Sequence, residues 1–305
     1  MLQLHHVRDL KLRKPPQPGR PSHLSAASGL VRTGEFLYVV ADDEFHLGVF
    51  PATGNEPGTL LRLRPGVLPN APAARKAAKP DLEALALLAP SDNHPHGALF
   101  AMGSGSRPNR RAGFLIELAE RGAVVDAPRC VDLSGIFAAI DQVKEINIEG
   151  AMVAGDRLRL LQRGNKGAGR NGVIELNCER FAHRLRHESQ IDSAELVQIS
   201  WFDLGDVEGV PLCFSDGVAL PDSSIVFTAV AEDTDDNYAD GRCVGAAVGI
   251  INANGNLRTL RRLERPLKIE GIEALIDGDV LRLLLATDAD DPRVAASLYT
   301  ADLAR

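Results

Sequence analysis

The sequence is poor in the features that mark zinc sites, disulfide frameworks and membrane segments. It contains four cysteines, one tryptophan and 5% aromatic residues, and no apolar run approaches the ~18 to 20 residues of a membrane span. The cysteines lack CxxC or Cys/His spacing and lie far apart, at Cys130, Cys178, Cys213 and Cys243. We therefore interpret them as free thiols.

Export signals and basic surfaces are also missing. The segment after Met1 lacks the continuous apolar stretch of a secretory signal, so we expect a cytoplasmic protein without membrane association. The net charge of -7 argues against nucleic-acid binding, because a phosphate backbone requires a basic surface. With 45% hydrophobic and 25% charged residues, the 305-residue chain has the composition of a folded globular protein.

One pattern occurs five times along the chain. A polar residue precedes a small residue, an apolar strand, a turn and a second apolar strand. The small residues lie 54 to 67 residues apart, at Gly29, Ala84, Gly150, Gly217 and Gly271. Two further strand-like runs follow each pair, for example 113–120 and 123–133. Four strands per unit in radial repetition predict an all-β protein, a five-bladed β-propeller.

The termini of the chain fit this interpretation. The fifth unit is one strand short, and the run 2–12 can supply that strand and close the ring, which predicts one domain over 1–305. A six-bladed propeller with one degenerate blade is the alternative. The segment Ser134 to Glu145 has a helical pattern, and 65–80 is interpreted as a Pro/Ala/Lys loop.

The polar residue before each small residue points to a metal site. In a propeller the first strand of each blade lines the central channel, so these positions form a ring: Ser28, Glu83, Glu149, Asp216 and Glu270, with Ser215 as the alternative in the fourth blade. Converging carboxylates repel one another unless a cation neutralises them. Oxygen ligands suit Ca²⁺, so we predict one calcium ion in the channel. Because four carboxylates exceed the charge of one divalent ion, either Asp216 turns away, a basic side chain joins the ring, or one carboxyl keeps its proton.

Loops after the second strands are predicted to form a substrate site at one end of the channel. Acidic residues lie on units one, four and five, and basic ones on units two and three, so a cationic wall would face an acidic one. We expect Asp42 or Asp43 to activate water. The predicted substrate-binding residues are Arg107, Arg163, Asn165, Lys166, Arg170, Glu232 and Asp288.

Two other motifs are interpreted without function. Gly167 to Gly172 matches GxGxxG but leads into a strand, where a dinucleotide site needs a helix. The spacing of Asp233, Asp235 and Asn237 is that of a calcium loop, but Tyr238 occupies the glycine position, so we interpret it as a solvated loop.

Three stretches resemble the soluble calcium-activated nucleotidase, or apyrase, family. They are Ser28 to Phe50, Phe214 to Leu257, and Lys268 to Leu275 (KIEGIEAL). The resemblance implies a five-bladed propeller with one calcium held by Ser28, Glu83, Glu149, Ser215 or Asp216, and Glu270, and with Asp42 or Asp43 near the attacking water. Phytase-like and esterase-like bacterial propellers, built on similar strands, are the neighbouring possibility.

The sequence therefore predicts a calcium-dependent hydrolase of a small phosphate ester or anhydride, such as a nucleoside diphosphate. The alternative is a non-enzymatic propeller in which a structural calcium supports a rim that binds a ligand or protein partner.

Overall fold

The five sequence repeats form five antiparallel sheets in a computed structural model, which describes residues 1–91, 94–191, 195–234 and 241–305. A first strand, β1 (His5–Asp9), precedes them. Blade one contains β2 (Ala27–Thr33), β3 (Phe36–Ala41), β4 (His46–Pro51) and β5 (Thr59–Arg62). Blade two contains β6 (Leu82–Leu88), β7 (Ala98–Gly103), β8 (Ala112–Glu117) and β9 (Arg129–Asp132). Blade three contains β10 (Ile148–Ala154), β11 (Arg157–Gln162), β12 (Asn171–Asn177) and β13 (Leu196–Phe202). Blade four contains β14 (Asp206–Val207), β15 (Val210–Ala219), β16 (Ile225–Asp233), β17 (Arg242–Ile251) and β18 (Leu257–Arg262), and blade five contains β19 (Ile269–Asp277), β20 (Val280–Thr287) and β21 (Ser297–Ala304).

The N-terminal strand completes the last blade. The fifth sheet has the order β1, β21, β20, β19, and β1 pairs antiparallel with β21. One blade therefore contains both ends of the chain, as the sequence predicted. The five-bladed propeller is confirmed, and the described residues form no sixth blade.

Apolar residues pack between blades rather than in one central core. Five hydrophobic clusters are present among the described residues, and each joins two neighbouring blades. The cluster that closes the ring packs Leu30 and Leu37 of blade one against Ala286 and Leu298 of blade five. Since each blade buries both faces, its inner strands are almost wholly buried, as in β16, whereas the outer strands β5 and β18 are largely exposed.

In the described part of the chain, three short α-helices connect strands. They are α1 (Pro72–Ala78), α2 (Ser134–Ala139) and α3 (Cys178–His187). Helix α1 lies inside the segment that we predicted to be a loop, and α2 ends six residues before the predicted Glu145. At the start of α2, the backbone N–H and the hydroxyl of Ser134 both donate to the carboxylate of Asp132, which precedes the helix. Within the described residues no helix is long and apolar enough to cross a bilayer. The predicted solvated loop lies outside the described residues at Asp235, Asn237 and Tyr238.

Candidate metal and substrate site

Each innermost strand carries a β-bulge at the same place in its blade. The pairing with the second strand skips one residue, so that residue lies outside the regular ladder. Bulges re-aim side chains and are frequent beside functional sites. The five bulged residues are Ser28, Glu83, Glu149, Ser215 and Glu270.

Four of the bulged residues line a central cavity of about 70 Å³ at one end of the channel. Carboxylate oxygens of Glu83, Glu149 and Glu270 lie within 4.8 Å of one another, although the three residues belong to three different blades. Ser28 lines the same cavity. The predicted ring of Ser28, Glu83, Glu149 and Glu270 thus meets in space.

The fourth blade contributes a structural serine in place of an acid. The Ser215 hydroxyl donates to the backbone carbonyl of Ile269 at 2.6 Å and lies 3.0 Å from the Thr228 hydroxyl. Asp216 points between blades, where its carboxylate accepts the N–H of Ile272 at 2.9 Å. Burial raises the pKa of Asp216 well above its ordinary value. Neither Ser215 nor Asp216 lines the cavity. Asp216 therefore turns away from the ring, which is one of the three ways in which we expected the charge of the ring to be reduced.

Small residues beside the bulges let neighbouring inner strands approach. A Cβ on Gly29 would lie 3.1 Å from the backbone oxygen of Glu83, and one on Gly150 would lie 3.2 Å from the carboxylate of Asp216. Both distances are tighter than ordinary carbon contacts. The glycine after the polar residue therefore has a packing reason, which explains why the two residue types recur together.

Glu83 has a buried carboxylate. The residue is 7% exposed, and within the described part of the chain it accepts no hydrogen bond and forms no ion pair within 4.0 Å. Burial, followed by the charges of Glu149 and Asp81, raises its pKa well above the ordinary value. A buried carboxylate in this state requires either a proton or a cation.

Arg163 supplies a built-in positive charge to the other two glutamates. Its guanidinium lies 3.2 Å from Glu149, 3.3 Å from Glu270 and 2.5 Å from Glu232, so one side chain connects blades three, four and five. Burial raises the pKa of Glu149 to about 8, with Arg163 opposing and Glu270 adding to the rise. The second and third ways to reduce the charge are thus both present: a basic side chain joins the ring, and a carboxyl favours its proton.

Two lysines hold the acids around the edge of the cavity. Lys268 lies 3.6 Å from Glu270, 3.8 Å from Asp288 and 2.6 Å from Asp290. Lys79 contacts Asp42 and lies 3.0 Å from Asp81. The attraction of these carboxylates outweighs desolvation and keeps the pKa of both lysines well above the ordinary value.

The pKa values of Asp42 and Asp81 are shifted in opposite directions, although both carboxylates contact Lys79. Arg110 donates to Asp81 at 2.7 Å, and the Ser104 hydroxyl donates to it at 2.5 Å. Burial alone would raise the pKa of Asp81, but Lys79, Arg110 and Ser104 together outweigh burial and lower it. Burial raises the pKa of Asp42 to about 6, against the opposing charge of Lys79. A second group of clustered carboxylate oxygens comprises Asp42, Asp81 and Glu83, so Glu83 belongs to both groups.

The charges that line the cavity nearly cancel. Among the described residues, seven carboxylates and five basic side chains line it, which leaves a formal charge of -2 when all are ionised. The acids are Asp42, Asp81, Glu83, Glu149, Glu232, Glu270 and Asp288, and the bases are Lys76, Lys79, Arg110, Arg163 and Lys268. One divalent cation offsets this difference, and the donors are oxygen atoms, as Ca²⁺ prefers.

Several predicted substrate residues lie at this cavity. Asn165, Glu232 and Asp288 line it together with Asp42. Arg163 also lines it, but its guanidinium is engaged by three carboxylates, so it orders acids instead of facing outward.

The other predicted residues lie elsewhere. Lys166 is exposed and pairs with Asp233 at 2.6 Å, and the guanidinium of Arg170 stacks 4.8 Å from the Trp201 ring. Arg107 is exposed because the 3₁₀ turn after it, Pro108–Arg110, brings Arg110 to the cavity instead.

Asp43 is also separate from the central cavity. Arg20 and Arg75 hold its carboxylate at 2.6 and 3.0 Å. Asp43 lines a second cavity of about 180 Å³, here called the side cavity, which shares four residues with the central one: Asp42, Lys76, Lys79 and Asp288. The two cavities are therefore adjacent.

Sequence reasoning missed the residues two positions before each bulged glutamate. Asp81, Asn147 and Lys268 occupy this position in blades two, three and five, and all three line the cavity. Their signal is a polar residue, an apolar residue and a glutamate, as in DLE, NIE and KIE. Lys79 and Lys76 had no such signal, because they come from the segment interpreted as a loop.

Solved structures resemble this chain in fold. A luciferin-regenerating enzyme matches with 8% identity over 99% of this chain and 95% of that chain, at a TM-score of 0.50. A putative glycoside hydrolase from Parabacteroides distasonis matches with 10% identity over 99% of this chain and 97% of that chain, also at 0.50. At these identities the likeness shows the fold alone. No curated protein matches the chain.

One family model covers most of the sequence. It matches residues 23–303, which include all five bulged residues and the whole of the central cavity. The chain therefore belongs to the family described as Family of unknown function (DUF6929).

Proposed function

We propose that the central cavity binds one Ca²⁺ ion and that the protein uses it to hydrolyse a small phosphate ester or anhydride. The observation that carries the metal proposal is the Glu83 carboxylate, which is buried, has no partner among the residues that the structure describes, and lies within 4.8 Å of carboxylate oxygens of Glu149 and Glu270. These three glutamates and Ser28 would hold the ion. The described residues around the cavity carry a formal charge of -2 when all are ionised, which one divalent ion would offset.

Basic residues of the cavity suit a phosphoryl group. Lys76 and Lys79 are partly exposed and line the central cavity with the buried Arg110. Phosphoryl oxygens would be oriented by these side chains. A bound Ca²⁺ would supply further polarisation of the phosphoryl oxygens.

Asp42 is the proposed general base. Its pKa of about 6 leaves it ionised at neutral pH yet close enough to accept a proton efficiently. It would take a proton from water as the new bond to phosphorus forms and the bond to the leaving oxygen breaks, and that proton would return to the leaving alcohol or phosphate. Asp43 is an unsuitable base, because two arginines hold its carboxylate outside the central cavity.

The metal proposal is tested by calcium titration of chelator-treated protein, followed by calorimetry and by the melting temperature. We expect one ion per chain, and we expect Glu83→Gln to weaken its binding by at least about tenfold, since a charged ligand is lost. Glu120→Gln, an exposed glutamate outside the cavity, is the matched control. Equal affinity in all three proteins, or no binding, would refute the metal site.

The hydrolase proposal is tested separately with a panel of pyrophosphate, nucleotides and phosphomonoesters. Asp42→Asn should lower kcat by about 10² to 10⁴ while calcium binding persists, because only the proton acceptor is removed. Asp126→Asn, an exposed aspartate, is the control. Calcium binding without turnover of any panel member would leave the non-enzymatic propeller as the function.

A further inference from the structure

The side cavity lies between blades one and five, next to the central cavity. Ser25 and Ala26 enter it from the segment before β2, Pro72 from the start of α1, and Pro292 from the loop after β20. It adjoins the central cavity at Asp42 and Lys79, which line both. A ligand held by its phosphoryl group at Lys79 therefore has space for a larger group on this side.

Ser25 is the unusual residue of the side cavity. It is 6% exposed, and among the described residues its hydroxyl has no hydrogen-bond partner. A hydroxyl without a protein partner pairs with water or with a bound ligand. The Ser25 hydroxyl is not among the fully enclosed unpaired atoms of the described residues, and Ser25 lines the side cavity, so a group bound there can reach it.

Most charged groups around the side cavity are paired, although Asp43 Oδ1 and Arg20 Nε are enclosed without a hydrogen-bond partner among the described residues. Asp43 accepts from Arg20 and Arg75, and Lys79 contacts Asp42. Pro72 and Pro292 add apolar surface, and both are exposed at the edge. A neutral group with an apolar face and hydroxyls fits these walls better than a second charged group.

We propose that the side cavity binds the alcohol part of the substrate, and that this part is a neutral polyhydroxylated ring. The substrate class would be a sugar phosphate, with the phosphoryl group at the central cavity and a ring hydroxyl paired with Ser25. This inference rests on the proposed function for the position of the phosphoryl group. The central cavity, at about 70 Å³, is too small to contain the ring as well.

The test compares binding of three probes to calcium-loaded protein by calorimetry: glucose 1-phosphate, cyclohexyl phosphate and inorganic phosphate. Cyclohexyl phosphate has a ring of the same size without hydroxyls. We expect glucose 1-phosphate to bind best. Ser25→Ala should weaken its binding about threefold to tenfold, the usual effect of one neutral hydrogen bond, and leave the other two probes unchanged.

A second variant tests the volume of the cavity. Ala26→Leu should weaken both ring-bearing probes and leave inorganic phosphate unchanged, because the added side chain occupies the ring's space. Melting temperature and calcium affinity are measured for each variant to establish that it is folded.

Hydrolysis and binding are recorded separately. Binding of glucose 1-phosphate that depends on Ser25, without turnover, would refute the hydrolase and retain the subsite. Equal binding of the two ring-bearing probes, equal effects of Ser25→Ala on all three, or no binding of glucose 1-phosphate would overturn the subsite even if another ester is hydrolysed.

Discussion

Replacing Arg163 by methionine tests whether this side chain balances the acidic ring. The guanidinium contacts Glu149, Glu232 and Glu270 at 2.5 to 3.3 Å, and all four side chains are at least 90% buried. Methionine has a similar length and no charge. In the variant, three buried carboxylates lose their shared cation. Among the described residues only Lys268 then lies within ion-pair distance of any of them, at 3.6 Å from Glu270 and 3.9 Å from Glu232.

Removing one partner of a buried ion pair costs about 3 to 5 kcal/mol, because the remaining charge is left uncompensated. At about 2 to 4 °C per kcal/mol for chains near this size, the calcium-free variant should melt roughly 6 to 20 °C below the calcium-free native protein. Calcium should recover part of this loss. A ligand that binds only the folded state stabilises it by RT ln(1 + [L]/Kd), and the variant's more negative cavity should lower Kd.

Differential scanning calorimetry with chelator and with saturating calcium measures both effects. Arg282→Met is the control, since Arg282 pairs with Asp277 on the surface and such pairs contribute about 1 kcal/mol or less. A melting temperature for calcium-free Arg163→Met within about 2 °C of the native value would refute the claim that Arg163 balances the ring. An equal calcium-induced shift in the native protein and the variant would refute the coupling between Arg163 and the ion.

Three further predictions concern pH and packing. Because Glu149 has a pKa of about 8 without metal, calcium binding at pH 7 should release protons. The affinity for calcium should therefore rise with pH up to about 8 and then level off. Calorimetry in buffers of different ionisation enthalpy measures the proton release. This folded-state pKa is raised, so the associated stability of the calcium-free protein is present below about pH 4.5 and is lost as the pH rises through about 8, a trend that calcium should abolish. Tyr38→Phe should cost about 1 to 3 kcal/mol in urea unfolding, because the buried hydroxyl donates to the carbonyl of Gly122 at 2.6 Å and that acceptor would be left unpaired. A loss below about 0.5 kcal/mol would show that water or a rearranged loop satisfies Gly122.

The sequence was most informative where the propeller repeats itself. Glu83, Glu149 and Glu270 were found from their register because equivalent positions on inner strands meet in a ring. The fourth blade was ambiguous for a definable reason. In the other blades the bulged residue directly precedes the small residue, whereas in blade four Asp216 stands between the bulged Ser215 and Gly217. Counting from the glycine therefore selected Asp216, which points between blades.

The basic residues of the site were less predictable. A charged loop residue has no local pattern that tells an inward side chain from an outward one. Arg163 and Lys166 lie three residues apart on one loop, yet one is buried among carboxylates and the other is exposed. Their directions depend on which acids the neighbouring blades present. Helix α1 was missed because its short sequence, rich in alanine and flanked by prolines, is also typical of a loop.

The built-in cations bear on whether a bound ion would be structural or functional. If calcium alone held the ring together, the acids would have no other counter-charge, and chelation would open the propeller. Here Arg163 connects three blades and Lys79 and Lys268 pair with the acids at the edge, so most of the repulsion is neutralised by the chain itself. Five apolar clusters between blades supply cohesion that does not depend on any ion. We therefore expect the chelated protein to remain folded at neutral pH, with native far-ultraviolet circular dichroism, and to bind calcium reversibly. Unfolding on chelation would contradict this reasoning, because it would show that the charges of the chain do not balance the ring.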